Sequence, residues 1–327
     1  MGLIVAMAMG ASATADDVDD VRAELARRLA GAAPNTVALR GVDDWFFHRR
    51  ELHAYSVGPF WGDAATAIYP GTSACDPLTA IVSCHRELSK AGIALILVAV
   101  PGKLSIGASA LDPRLACTER IDGDHQVFYR LLEEQGVSVI DLVPDFAALW
   151  ARGIPPFCRQ DSHWSPAGMA VACERIAERV VGHPWHGARR KQAATSRSLD
   201  VEVAGDLAAL ARADVAKERL HIEQWFLDGQ GITTDRQSPV VLLGDSHTLV
   251  FSNGLLADHA GLPDHLAAKL GYAVDNVGNQ ANGANQSRIA LARRRDNLAG
   301  KRCLVWVLSV RNFTASSDGW KIVPLTR

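Results

Sequence analysis

The chain has 327 residues, 48% of them apolar and 21% charged, with a formal net charge of −2. That length and composition describe an ordinary globular protein with ample material for a buried core, built as one large α/β domain or two small ones. The charge balance lacks the basic surplus of a nucleic-acid binder, so no nucleic-acid partner is expected.

Residues 1–15 read as an export signal, removed from a single domain spanning 16–327. Leu3 to Met9 is apolar, and Ala13-Thr14-Ala15 fits a small-residue cleavage site before Asp16-Asp17, although no basic residue precedes Leu3. The segment is too short to span a bilayer. It places the protein in the periplasm or outside the cell, where the six cysteines would be free to pair, with at least one disulfide expected. Cysteine and histidine never cluster at zinc-ligand spacing, and neither a metal nor another cofactor is expected.

Val18 to Leu29 has helical periodicity, and Trp45-Phe46-Phe47 opens an extended stretch. Asp76 to Lys90 is amphipathic and stops at Gly92. The continuous apolar run from Ile93 to Val100 has the character of a buried parallel strand, broken by Pro101-Gly102-Lys103. A helix at His125 to Glu134 and a strand at Val137 to Leu142 repeat the pattern. Ser165-Pro166 is an N-cap followed by proline at the first helical position, starting a helix that runs to about Val181. Residues 182–238 are charged and read as an irregular surface insertion or partial lid. Val240 to Leu243 is a short strand entering Gly244, and Pro263 to Leu270 is a helix. Tyr272 to Asn276 is a strand, Ala284 to Arg294 a helix, and Leu304 to Val310 a last buried strand. Strands alternating with helices predict a mostly parallel sheet in three layers, with ligands bound at the carboxyl ends of the strands.

The tripeptide Asp-Ser-His occurs twice, at Asp161-Ser162-His163 and Asp245-Ser246-His247. The second follows a strand and a glycine, which puts Ser246 on a tight turn at the sheet edge, in the manner of a nucleophile elbow but without the G-x-S-x-G pattern. The first precedes a helix, and Asp161 lies two residues from His163, close enough to fix its tautomer and leave the other ring nitrogen free to accept a proton from a serine. A serine alcohol needs such a base, and an oxyanion site besides. Backbone N–H groups at Ser246 and at Gly283 could supply that site. Alone, Gly-Asp-Ser after a strand is a weak signal, and Asp-Ser-His-Trp-Ser-Pro could be nothing more than a capped helix entry.

Several segments, in order from about residue 40 to 315, resemble the alginate O-acetyltransferase family, the SGNH-hydrolase-like enzymes that acetylate bacterial exopolysaccharides. They are Asp43-Asp44-Trp45-Phe46-Phe47 with Glu51-Leu52, Pro101-Gly102-Lys103, and Asp161-Ser162-His163-Trp164-Ser165-Pro166-Ala167-Gly168. Leu243-Gly244-Asp245-Ser246-His247 follows, then Asn276-Val277-Gly278 through Gly283 with Val305-Trp306 and Arg311. The resemblance implies an SGNH-like fold with permuted catalytic order, the Asp/His block preceding the serine. It implies Ser246 as nucleophile, His163 as base and Asp161 as its orienter, in an acetyl-serine mechanism. The implied partners are an exopolysaccharide acceptor and a membrane acyltransferase that supplies the acetyl donor. Lys103, at a strand end, either reaches the site or faces solvent; Arg311 is placed to stabilise charge or position substrate. His247 departs from the family, which often carries Phe or Tyr there, and reads as a pocket wall, not a base. Trp164 and Trp306 read as core packing.

Three other functions fit parts of the same sequence. The first is a plain carbohydrate acetylesterase, and the second a non-catalytic polysaccharide-binding protein with the same fold, which would have no need of all three triad residues. The third is a dinuclear metallophosphoesterase, suggested by two Asp-x-His pairs and Gly278-Asn279. Against it, Asp161 follows no apolar strand and Gln280, not histidine, follows Asn279.

Overall fold

The computed structural model describes residues 18–72, 75–252, 254–280, 283–296, 298–316 and 318–326. The proposed export segment lies outside them. The strands among these residues are β1 Ala38–Arg40, β2 Phe46–His48, β3 Ala94–Val100, β4 Ser138–Asp141, β5 Ala194–Val203, β6 Glu218–Leu227, β7 Gln230–Gly231, β8 Val240–Gly244, β9 Asp275–Gly278 and β10 Cys303–Ser309. Five of them form one parallel sheet in the order β4-β3-β10-β8-β9. Every residue of β8 and β10 is buried, as is all of β3 except Ala94. That is the mark of strands covered on both faces, and it explains why they read as unbroken apolar runs.

Register brings the functional edge together. Val307 of β10 pairs with Gly244 of β8, Gly244 pairs with Gly278 of β9, and Ser309 pairs with Val100 of β3. The chain leaving β8 therefore emerges beside the ends of β9 and β10. Two long helices follow their sequence signals. Asp76 caps Pro77–Lys90 by accepting from the N–H groups of Leu78 and Thr79, and Ser165 caps Pro166–Val181 by accepting from Gly168 N–H.

The structure departs from the sequence reading in four places. Residues 182–238 are not irregular: β5 and β6 form an antiparallel ladder from Ala194↔Leu227 to Val203↔Glu218. β5 hides this because nearly all its residues are exposed, so burial leaves no alternation to read. The strand expected at 272–276 begins only at Asp275, because the Val274 carbonyl accepts from Asp235 N–H, outside the sheet. The helix expected from Ala284 begins at Gln286, with Asn285 as its N-cap residue: the Asn285 carbonyl accepts from Ile289 N–H at 2.9 Å. No disulfide forms: all six cysteines are free thiols, five of them buried. Among the described residues no helix is long and apolar enough to cross a membrane.

Candidate active site

Ser246 sits two residues past β8, on a turn pinned from several sides. Gly244 is packed so closely that a Cβ there would lie 2.5 Å from the Val307 carbonyl oxygen and 2.6 Å from Thr248 Cγ2. Asp245 then holds the turn. Its Oδ1 accepts from the His247 backbone N–H at 3.0 Å and from His247 Nδ1 at 2.8 Å; its Oδ2 accepts from Ser309 N–H at 2.9 Å and Asn312 Nδ2 at 2.8 Å. Burial alone would raise the Asp245 pKa, but the charge and hydrogen bond of His247, Arg311 and the Ser309 N–H outweigh it and hold the carboxyl well below its usual range. Ser246 opens a single 3₁₀ turn, Ser246–Thr248. Its own N–H has no partner among the described residues, as the first donors of a helical turn commonly do not.

His163 reaches the same point from the loop before helix Pro166–Val181. A bridge between Phe157 and Trp164 closes that loop, with Cys158 N–H donating to the His163 carbonyl at 3.2 Å. Asp161 Oδ1 accepts from His163 N–H at 3.1 Å and from Nδ1 at 2.6 Å, which leaves Nε2 as acceptor for Ser246 Oγ–H at 2.6 Å. Asp161 Oδ2 accepts from Asp206 N–H at 3.0 Å. Burial alone would raise the Asp161 pKa; the hydrogen bond and charge of His163, the Asp206 N–H and Lys103 together reverse it and keep the group ionised. An imidazole so oriented can take a hydroxyl proton on one nitrogen while a fixed carboxylate steadies the other.

Around this pair lies a cleft of about 290 Å³, lined also by His48, Arg50, Gln280, Arg311 and Asn312. His48 caps the helix Arg49–Ser56 by accepting from Arg50 N–H on Nδ1. Burial, with Arg311, Arg50 and Lys103, lowers its pKa to about 3, so it is neutral with its proton on Nε2. Arg311 reaches the Ser162 carbonyl at 3.4 Å and Glu51 at 3.6 Å. Gly283 lies against the serine turn: a Cβ there would sit 2.7 Å from both Asp245 N and Asp245 Cβ. Its carbonyl accepts from Trp306 Nε1 and Ser287 Oγ, which anchors the loop to the sheet.

Lys103 lies outside that lining. It is buried, and its ammonium donates to the Phe46 and Arg159 carbonyls at 2.8 and 3.1 Å. Its backbone N–H donates to Glu51. The strand-end position placed it near the catalytic edge, but its side chain ties loops together behind the site. Trp164 and Trp306 are fully buried, as core residues should be.

Asp161, His163 and Asp206 each bring a possible ligand atom within 4.8 Å of the others. Those groups are already committed. Both Asp161 oxygens accept N–H donors, and the Asp206 carboxylate accepts from Ser162 N–H and Ser162 Oγ–H at 2.7 Å each. Hydrogen bonds hold the cluster together.

Sequence reasoning passed over Asp206, Asn312, His48 and Arg50. Asn312 follows the recognisable Trp strand and Arg50 precedes the quoted Glu51-Leu52, so both stood beside legible segments. Asp206 carries no local signal at all.

The described fold is shared with known enzymes. In structure the chain resembles the O-acetyltransferase domain of Pseudomonas putida AlgJ, with TM-score 0.65 and 21% identity over 85% of this chain and 92% of that one. It also resembles Pseudomonas aeruginosa AlgX, with TM-score 0.62 and 15% identity over 86% of this chain and 68% of that one. No curated protein sequence matches it. The family model described as the SGNH hydrolase-like domain of acetyltransferase AlgX matches residues 38–309. The chain therefore belongs to the AlgX-type family of SGNH hydrolase-like acetyltransferases.

Proposed function

We propose that this chain is a polysaccharide O-acetyltransferase that works through a covalent acetyl-Ser246 intermediate. The observation that carries the reading is the unbroken chain of short contacts, Ser246 Oγ to His163 Nε2 at 2.6 Å and His163 Nδ1 to Asp161 Oδ1 at 2.6 Å, opening on a cleft. Membership of an acetyltransferase family supplies the acyl group.

In this reading Ser246 Oγ attacks the acetyl carbonyl of a donor while His163 takes its proton. The tetrahedral oxyanion is met by the Ser246 N–H, which has no partner among the described residues, with Gly283 beside it. The intermediate collapses to acetyl-Ser246, and His163 returns the proton to the leaving group. A sugar hydroxyl then attacks, giving its own proton to His163. The second tetrahedral intermediate collapses by breaking the bond to Ser246 Oγ, which takes that proton from His163, and the acetylated sugar leaves. Water on the same path gives hydrolysis, so the plain esterase is the same chemistry with a different acceptor. Arg311, Arg50 and His48 are the cleft groups available to position donor and acceptor; Lys103 is not. An exopolysaccharide acceptor, a membrane acyltransferase as source of the acetyl group, a single catalytic domain over 16–327 and a periplasmic or secreted location complete the proposal.

The test is mass spectrometry of oligosaccharides from the producing organism after incubation with the protein and an acetyl-ester donor. Products heavier by one acetyl group, together with an acetylated Ser246 peptide on rapid quenching, are expected. Oligosaccharides that gain no acetyl while the donor is hydrolysed would assign the chain to the esterases. Acetyl on no serine at all would remove the covalent mechanism.

A further inference from the structure

The segment between the two Asp-Ser-His triplets returns to the first of them. Gly205 lies on the backbone of Gln160, where a Cβ would meet the carbonyl carbon and oxygen at 2.1 Å, so only glycine allows the approach. Beyond it, Leu207 and Ala208 N–H both donate to the Gln160 carbonyl at 3.1 Å. Asp206 donates its N–H to Asp161 Oδ2 at 3.0 Å and accepts Ser162 N–H and Ser162 Oγ–H on its two oxygens. From β6, Glu218 accepts Arg159 N–H at 3.0 Å and Gln160 N–H at 3.3 Å. Two carboxylates thus hold one loop at adjacent points.

They differ in what else they reach. An Asp206 carboxylate oxygen comes within 4.8 Å of a His163 ring nitrogen, as does one from Asp161. Glu218 holds the loop further back, at Arg159 and Gln160. We infer that Asp206 is a positioning residue of the catalytic unit, fixing Asp161 through its backbone and stabilising the His163 imidazolium through its charge. The inference rests on the Ser246–His163 reading above. An opposite charge within about 4–6 Å favours the protonated imidazole, and a carboxylate already held by two donors needs no rearrangement when that charge appears.

The experiment compares wild type, Asp206→Asn and Glu218→Gln in the pH dependence of kcat/KM for a chromogenic acetyl ester. The other ionisable groups around His163 stay the same in both variants: Asp161 on its own loop, Asp245 and His247 on the serine turn, Arg311 beside Ser162, Lys103 behind Asp161, and His48 and Arg50 across the cleft. Asparagine can still accept Ser162 N–H and keeps the backbone donor to Asp161. Loss of its charge should move the acid limb down by about one pH unit and lower the plateau kcat by about tenfold, with KM changed little. Glu218→Gln should leave the acid limb where it is. An unmoved limb in Asp206→Asn, or the same shift in both variants, would overturn the inference, since either reduces Asp206 to a loop tie. Should Asp206→Asn not fold, Asp206→Ser gives the same comparison, its hydroxyl still able to accept from Ser162. Activity that survives Ser246→Ala would sink the underlying reading by itself, wherever the limb lies.

Discussion

The two Asp-Ser-His triplets fold locally into the same device and are held in different surroundings. In each, the aspartate Oδ1 accepts from the histidine backbone N–H, at 3.1 and 3.0 Å, and from its Nδ1, at 2.6 and 2.8 Å. Both rings are therefore fixed in the same tautomer. The difference lies in what grips the second carboxylate oxygen. Asp161 Oδ2 is held by Asp206 from the β5–β6 insertion, and its histidine points at Ser246. Asp245 Oδ2 is held by Ser309 and Asn312 at the end of β10, which turns Ser246 toward the cleft and buries His247. His247 then packs edge-on against His163 and Trp164, with ring centroids 4.9 and 5.0 Å apart. A tripeptide sets the tautomer; the element that catches the carboxylate decides where the ring goes, His163 to the cleft beside Ser246 and His247 into the core.

Replacing the serine of the second triplet and the histidine of the first breaks the comparison most sharply. Ser246→Ala and His163→Ala should each reduce ester cleavage by about 10⁴-fold or more. The double variant should be about as inactive as either, since members of one unit do not add. Steady-state rates with the folded state checked by circular dichroism decide this. Losses that multiply would separate the two residues into independent roles.

Most of this architecture was legible because burial leaves marks in sequence. β3, β8 and β10 are apolar runs because both their faces are covered, and Asp76 and Ser165 announce helices by chemistry that works locally. Asp161 and His163 were readable for the same reason: their contact spans two residues. Ser246 was marked by the strand and glycine before it. Asp206 meets Asp161 across 45 positions, and nothing in its neighbours records the meeting. β5 stayed hidden because its side chains face solvent along nearly its whole length. Lys103 misled because strand ends place backbone, not side-chain tips. Its ammonium turned inward to two carbonyls.

The buried histidine of the second triplet should be visible in acid stability. Burial lowers the His247 pKa from 6.5 to about 4, helped by His163 and Arg311 and opposed by Asp245. Between those values the unfolded chain binds a proton that the folded chain does not. Stability from this group is thus complete above about 6.5 and lost as pH falls toward about 4, at no more than about 1.4 kcal/mol per pH unit. Asp245, whose pKa is also lowered, loses its contribution only at still lower pH and leaves this window unaffected. His247→Phe should therefore lose about 1–2 kcal/mol less than wild type between pH 6.5 and pH 5 in urea melts. His125 and His265, also lowered to about 4 by burial, keep part of the slope in both proteins. An unchanged slope in His247→Phe would mean that this ring is not the acid-sensitive group.

The smallest effect belongs to the serine that stands where a nucleophile would in the first triplet. Ser162 Oγ donates to Asp206 Oδ2 at 2.7 Å, and its N–H makes a parallel bond to Oδ1. Ser162→Ala removes the first and keeps the second. The carboxylate oxygen it leaves is only partly buried, so water can replace the hydroxyl. The cost should be about 1–2 kcal/mol of stability, the worth of one hydrogen bond to a charged acceptor. Because Asp161 keeps its bond from Asp206 N–H, the geometry at His163 survives, and kcat/KM should stay within about fivefold of wild type, against the loss of orders of magnitude in Ser246→Ala. The two alanine variants, measured side by side on the same ester, read the difference between the triplets directly. If Ser162→Ala were as inactive as Ser246→Ala, the hydroxyl tie to Asp206 would itself be indispensable to the orientation of His163, and the backbone bond insufficient to hold the loop.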